Sequence, residues 1–188
     1  MKKIFLTLFI LTISFGCKEE KKDDNKSADK ETKVSNSVNE KENIFRIEIS
    51  GVFNEDGIIS LNYLNDANLQ FNSTQYLVKK FSGNIEQQTI QFELPKDEFL
   101  EKFRFRPTYL SNEPKDMQIN EIKVSFNNST IVLNPSNYKQ FLLTNPYVTI
   151  NENDSIFKFQ KKEINGSLIF DPYIITNPTF TQEILLQL

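Results

Sequence analysis

Arg104 and Arg106 stand two residues apart, alternating with Phe103 and Phe105. On a strand that spacing puts two guanidinium groups on one face and two rings on the other. A pair of planar forks on one face can hold a carboxylate or the hydroxyls of a sugar. The plainer role is cross-strand pairing with acids such as Glu121 or Glu93 on an exposed sheet face. Six tyrosines, Tyr63, Tyr76, Tyr109, Tyr138, Tyr147 and Tyr173, add flat rings that can pack against sugar C–H groups while their hydroxyls stay in water. Most suit the edge of a core, whereas Tyr109 and Tyr138 fall in loop-like stretches. The ligand-binding candidates are therefore Arg104, Arg106, Tyr109 and Tyr138.

The rest of the inventory excludes more than it offers. With no histidine among 188 residues, no Ser-His-Asp or Cys-His arrangement, no carboxylate-histidine-zinc site and no imidazole acid-base pair can exist. The chain has no tryptophan, which lowers the weight of a sugar-stacking platform. Asn151-Glu152-Asn153-Asp154-Ser155 gathers oxygens of the kind calcium takes, but lacks the glycine and bidentate glutamate spacing of an EF-hand loop and reads equally as a polar turn. Asp171, before Pro172, reads as a turn former. No catalytic residue, metal or cofactor is expected. A hydrolase would have to rest on two facing carboxylates, one with a raised pKa.

These candidates sit in a chain whose dominant period is two. Phe45, Ile47 and Ile49 alternate with Arg46, Glu48 and Ser50. Ile90, Phe92 and Leu94 alternate with Gln91 and Glu93, and Ile122, Val124 and Phe126 with Lys123 and Ser125. Further strands are expected at 57–64, 74–81, 130–133, 147–150, 155–160, 167–170 and 179–186. Turn signals between them include Asn54-Glu55-Asp56-Gly57, Ser82-Gly83-Asn84, Asn112-Glu113-Pro114, Asn127-Asn128 and Asn165-Gly166. Many short alternating strands and no long helical period predict an all-β, antiparallel, jelly-roll-like sandwich with at most one or two short helices. The helices are expected at 96–102, and at 134–143 behind the Asn134-Pro135 pair. Fourteen phenylalanines and a single alanine in residues 44–188 predict a core of large rings.

The beginning of the chain carries an address. Met1-Lys2-Lys3 precedes a run of 12, Ile4 to Phe15, broken only by Thr7, Thr12 and Ser14, and closed by Gly16-Cys17. That is the pattern of a secretory signal peptide. It is too short for a bilayer core of about 30 Å, which takes roughly 20 apolar residues. Ser14-Phe15-Gly16-Cys17 resembles the lipobox of bacterial lipoproteins, with Ser14 where the family favours an aliphatic residue. The resemblance implies that Cys17, the only cysteine, is lipidated and becomes the mature N-terminus. Several acyl chains anchor stably where one binds marginally. Residues 18–43 hold seven lysines and eight acids among 26 positions, with only Ala28, Val34 and Val38 apolar. A segment that cannot bury enough surface to offset its ordering entropy is expected to be a disordered spacer. Its reach is roughly 90 Å fully stretched and ~30 Å as a coil. Lys18-Glu19-Glu20 looks like the charged export tag of some Gram-negative surface lipoproteins, which favours the outer membrane, with surface exposure a further option.

Residues 44–188 then form one domain, with 13 basic and 17 acidic residues and a formal charge of −4, a balance that argues against a nucleic acid partner. From Ile90 to Ile175 they resemble a jelly-roll, carbohydrate-binding-like accessory domain of bacterial cell-envelope and glycosyltransferase proteins. The residues that carry this are Ile90 to Pro95, Phe103 to Thr108, Ile119, Ile122 and Val124, Phe157-Lys158-Phe159, and Asp171 to Ile175. Arg106 stands where an Asp is expected. The resemblance implies a sandwich and proximity to glycans. Anchor, spacer, sandwich and missing catalytic constellation together predict a non-catalytic envelope module that binds a glycan or an envelope protein. A structural subunit of an envelope assembly is the alternative, and a carboxylate-dependent hydrolase ranks below both. Replacing Cys17→Ser is expected to move the protein from the membrane to the soluble fraction. Unchanged fractionation, with no acyl mass on the wild-type chain, would refute the anchor.

Overall fold

The computed structural model describes residues 43–66, 70–71, 74–111, 113–151 and 153–187. The signal peptide, Cys17 and the charged spacer up to residue 42 lie outside the described residues, as do Asn112 and Glu152. Alternation decides the architecture. In β1 (Arg46–Phe53), Ile47, Ile49 and Phe53 are fully buried while Arg46, Glu48 and Val52 are half-exposed. β1 pairs antiparallel with β4 (Asn84–Glu93) on one side and β6 (Met117–Phe126) on the other. β6 is long enough to have two neighbours in succession: β10 (Ile156–Phe159) pairs at its Met117 end and β7 (Ser129–Leu133) at its Phe126 end. β9 (Val148–Asn151) extends β10 and completes the first sheet.

The second sheet runs in the order β3 (Tyr76–Phe81), β2 (Gly57–Leu64), β5 (Lys102–Tyr109), β13 (Ile174–Thr176) and β8 (Leu142–Thr144). Every pairing in both sheets is antiparallel. A third, two-stranded ribbon of β11 (Lys162–Ile164) and β12 (Ser167–Ile169) turns at Asn165-Gly166, both with positive φ (52° and 77°) as a tight hairpin turn requires. The fold is the antiparallel β-sandwich expected from the two-residue period.

The two sheets enclose a core of rings and branched chains. Phe45 stacks on Phe126 with centroids 4.3 Å apart, Phe53 lies 4.9 Å from Phe81, and Phe103 meets Phe180 edge-on at 5.4 Å. Such edge and offset contacts add to the gain from burial, which is already about 1.5–3 kcal/mol for a large apolar side chain.

The helices differ from expectation. Residues 96–97 form only a turn, because Lys102 already begins β5. The Asn134-Pro135 pair opens a turn: Asn134 Oδ1 accepts from the Ser136 N–H and hydroxyl, and the helix that follows, α1 (Tyr138–Phe141), is a single turn. The stretch 179–186, expected as a strand, is instead helix α2 (Pro178–Gln187). Asn177 caps it, its Oδ1 accepting from the backbone N–H groups of Thr179 (2.9 Å) and Phe180 (3.2 Å), while Pro178 takes the first helical position where no N–H is needed. The helix buries Phe180 and Ile184, one turn apart, against the sandwich. Short strands at 142–144, 162–164 and 174–176 carried no alternation long enough to be read.

Gly51 marks a register shift between β1 and β6. A Cβ there would lie 2.1 Å from the backbone oxygen of Gln118, so only glycine lets the two strands approach. Gly51→Ala is expected to lower unfolding stability by roughly 1–3 kcal/mol through this clash. Urea denaturation would check it, and an unchanged midpoint would contradict the close-approach account.

Candidate functional site

β5 is the middle strand of the second sheet, and its pleat builds the site. Phe103 and Phe105 point into the core and are fully buried, whereas Arg104, Arg106 and Thr108 point out of the sandwich. Register supplies the neighbours on that outer face. Asn62 of β2 stands opposite Arg104 and Ser60 opposite Arg106, and Ile175 of β13 flanks Arg104 on the other side.

The two arginines share one aromatic partner. The Arg104 guanidinium lies 5.4 Å from the Tyr173 ring centroid and that of Arg106 lies 5.9 Å from it, while Arg104 also sits 4.6 Å over the ring of Phe71. Cation–π contacts of this kind contribute ~0.5–2 kcal/mol depending on desolvation. Polar partners are few. The Arg104 Nη2 donates to Asn62 Oδ1 at 3.4 Å, and the Arg106 Nη2 reaches Asp171 Oδ1, also at 3.4 Å. The Nε atoms of both arginines are buried and have no hydrogen-bond partner among the described residues. Burial first, and then the charge of Arg106, pull the Arg104 guanidinium below its ordinary value, with Tyr173 and Asp171 opposing. An arginine keeps its charge in a protein. The downward shift therefore reflects a cation that is incompletely solvated and repelled by its neighbour.

An open cleft of ≈ 320 Å³ continues the site past Arg106. Thr108, Tyr109, Glu113, Phe170, Asp171 and Pro172 complete its lining. It begins where β13 ends its register with β5, since only Arg104 and Phe105 have partners in β13. Pro107, which cannot donate to a ladder, falls in this stretch of β5 that β13 leaves uncovered. Both carboxylates of the cleft face cations: Asp171 is paired with Arg106, and Glu113 with Lys161 at 2.9 Å.

Of the four expected ligand residues, the structure brings Arg104 and Arg106 together, leaves Tyr109 in the wall of the cleft with most of its side chain buried, and withdraws Tyr138 into the core. Tyr138 is fully buried at the start of α1, edge-on to Phe157, and its hydroxyl donates to the Ile119 carbonyl at 2.9 Å. Tyr109 ends β5 on the core-facing side, packs edge-on against Phe81 and donates to the Asp116 carbonyl at 3.2 Å. Neither is in a loop. Burial, the leading cause, pushes both phenols above their ordinary value. Glu93 and Glu121, expected as partners of the arginines, belong to the first sheet; Glu93 pairs with Arg46 at 2.9 Å. Asp171, expected only as a turn former, is the acid that faces Arg106. Of the six tyrosines it is Tyr173, outside the four ligand candidates, that meets the arginines, together with Phe71, which no motif marks.

In the 151–155 stretch, Asn151 Nδ2 donates to Asp154 Oδ2, Asn151 Oδ1 accepts from the Asn153 N–H, and Asp154 Oδ1 accepts from the Ile156 N–H. The oxygens close the turn between β9 and β10. Glu152 lies outside the described residues.

No family model matches the chain, and no curated protein or solved structure shows significant similarity to it. The Tyr138→Phe variant is expected to lose about 1–2 kcal/mol of stability with its buried hydrogen bond. Urea unfolding checks it, and an unchanged midpoint would contradict the buried-bond account of Tyr138.

Proposed function

We propose that this protein is a lipid-anchored module of the bacterial cell envelope whose β-sandwich binds a glycan without transforming it. Cys17 is the anchor and residues 18–43 the spacer that lifts the sandwich off the membrane. The observation that carries the binding reading is the outer face of the second sheet, where Arg104 and Arg106 converge on Tyr173 beside an open cleft. Rings next to hydrogen-bond donors suit a sugar, whose C–H faces pack on aromatics while its hydroxyls take N–H groups. The non-catalytic reading draws support from the cleft acids. Glu113 and Asp171 are each engaged by a cation, Lys161 and Arg106 respectively.

A second reading, as a subunit of an envelope assembly, is favoured by one feature. The β11–β12 ribbon exposes Ile164, Leu168 and Ile169, with Leu168 72% accessible. Exposed apolar side chains grouped on one hairpin are suited to a protein partner.

A glycan array probed with the full chain in detergent, beside affinity capture from envelope extracts, tests both. The expected result is binding to a subset of glycans that the double substitution Arg104→Ala, Arg106→Ala abolishes. A blank array together with a stoichiometric envelope protein, captured by the wild type and lost on Leu168→Glu, would overturn the glycan reading in favour of the assembly one.

A further inference from the structure

Resting on the glycan reading above, we infer that the ligand is an acidic saccharide, whose carboxylate is held by Arg104 and Arg106 and whose ring lies along Tyr173 into the cleft. Charge carries the first half of the inference. Residues 44–188 are acidic overall, yet these two cations sit side by side on one strand face, where like charges repel. Among the described residues the pair has one ion-paired carboxylate, Asp171, 3.4 Å from Arg106 and acting on Arg104 through space. The other polar neighbours that register places beside them, Asn62 and Ser60, are neutral. The site thus keeps an excess of positive charge. The Nε groups are buried, so a ligand would meet the terminal Nη groups; the Arg106 side chain is 36% accessible. An incoming carboxylate would supply the second negative charge and the charge-assisted hydrogen bonds that the forks are built to donate.

Shape carries the second half. A phosphate or a small carboxylate would need only the forks, but here Tyr173 and Phe71 lie within 4.6–5.9 Å of the guanidinium centres. Tyr173 is half-buried. The cleft beyond Arg106 holds ≈ 320 Å³ and is lined by Thr108, Tyr109, Phe170 and Pro172 together with two acids, Asp171 and Glu113, that are paired with Arg106 and Lys161. That volume is at the low end for small-molecule sites, about 300–1,000 Å³, and fits a short saccharide. A uronic acid presents the matching combination: a ring with an apolar face, hydroxyls at its rim and a carboxylate fixed to it.

Calorimetric titration of the full chain in detergent with trigalacturonate, with neutral trigalactose and with a triglutamate peptide is the test. Trigalacturonate is expected to bind, with an affinity that falls as salt rises, and trigalactose at least about 10-fold more weakly, the scale of one lost charge-assisted hydrogen bond. Arg104→Gln and Arg106→Gln should each weaken trigalacturonate by about 10-fold or more, and Arg106→Lys, which keeps the charge and loses the fork, by less. Lys80→Gln, which removes a charge from β3 at the edge of the same sheet, should change little. Thermal unfolding of each variant reports whether the fold is kept. Should the Gln variants fail to fold, Arg106→Lys and Tyr173→Leu carry the comparison. Equal binding of trigalactose, indifferent to the arginines, would overturn the acidic assignment and leave a neutral-glycan module standing. Triglutamate binding as tightly as trigalacturonate would overturn the saccharide assignment. Binding of neither saccharide would overturn the inference too, and only a blank glycan array as well would remove the glycan reading on which it rests.

Discussion

The pleat of β5 is the constraint on which both core and site depend. Its register with β2 runs unbroken from Gly57 against Tyr109 to Leu64 against Lys102. Within it, Phe103 and Phe105 fill the centre of the sandwich and Arg104 and Arg106 stand outside. A slip of one residue would drive two guanidinium groups into the core and expel two rings. Burying even one unpaired charge costs far more than the few kcal/mol that a ring returns, so the register admits no alternative. The outer face that carries the two arginines is therefore fixed by the same alternation that fixes the fold. No flexible loop has to place Arg104 or Arg106.

Holding two like charges together is unfavourable, and the surroundings offset it only in part. The exposed Arg106–Asp171 pair is of a kind that contributes about 0–1 kcal/mol. The rings of Tyr173 and Phe71 add a comparable amount by facing the cations. What remains uncompensated is visible in the two buried Nε groups and in the downward pull on Arg104. A sandwich needing stability alone would be served better by threonine or valine at these positions. This cost, retained on a rigid central strand, sets the arginine face apart from the polar turn after β9, where the Asn151 and Asp154 side-chain oxygens accept hydrogen bonds that close the turn.

The fold was legible because period two is a local property, visible wherever a strand runs for several residues with one face buried. It failed where the signal is short or shared. The three-residue strands at 142–144, 162–164 and 174–176 hold too few side chains to alternate, and 179–186 mixes Thr, Phe, Ile and Leu in a way that suits a strand until the Asn177-Pro178 cap is weighed. The site divides along the same line. Arg104 and Arg106 share a face by local spacing, so their convergence was readable. Their partners were not, because Asn62 lies 42 residues before Arg104 and Tyr173 far beyond it, and only the register of β2 and β13 brings them alongside. Tyr138 misled for a related reason: next to a turn, a tyrosine that closes a core and one that faces water look alike in sequence, and the buried hydroxyl bond to Ile119 distinguishes them.

How the cleft arises follows from the shortness of β13. Ile174 and Ile175 pair with β5, and at Thr176 a side chain takes over: its fully buried hydroxyl accepts from the Phe103 N–H at 3.1 Å and donates to the Phe103 carbonyl at 3.2 Å. A hydroxyl can do both at once, so the sheet is sealed there without another strand residue. At the opposite end β13 begins directly after Pro172-Tyr173, and Pro107 of β5 needs no partner for an N–H it does not have. Beside the uncovered part of β5, with Arg106 and Thr108 on its outer face, Phe170, Asp171 and Pro172 line the cleft without joining the sheet. Thr176 thus seals one end of the short strand, and the prolines at the other leave a recess in the sheet beside Arg106.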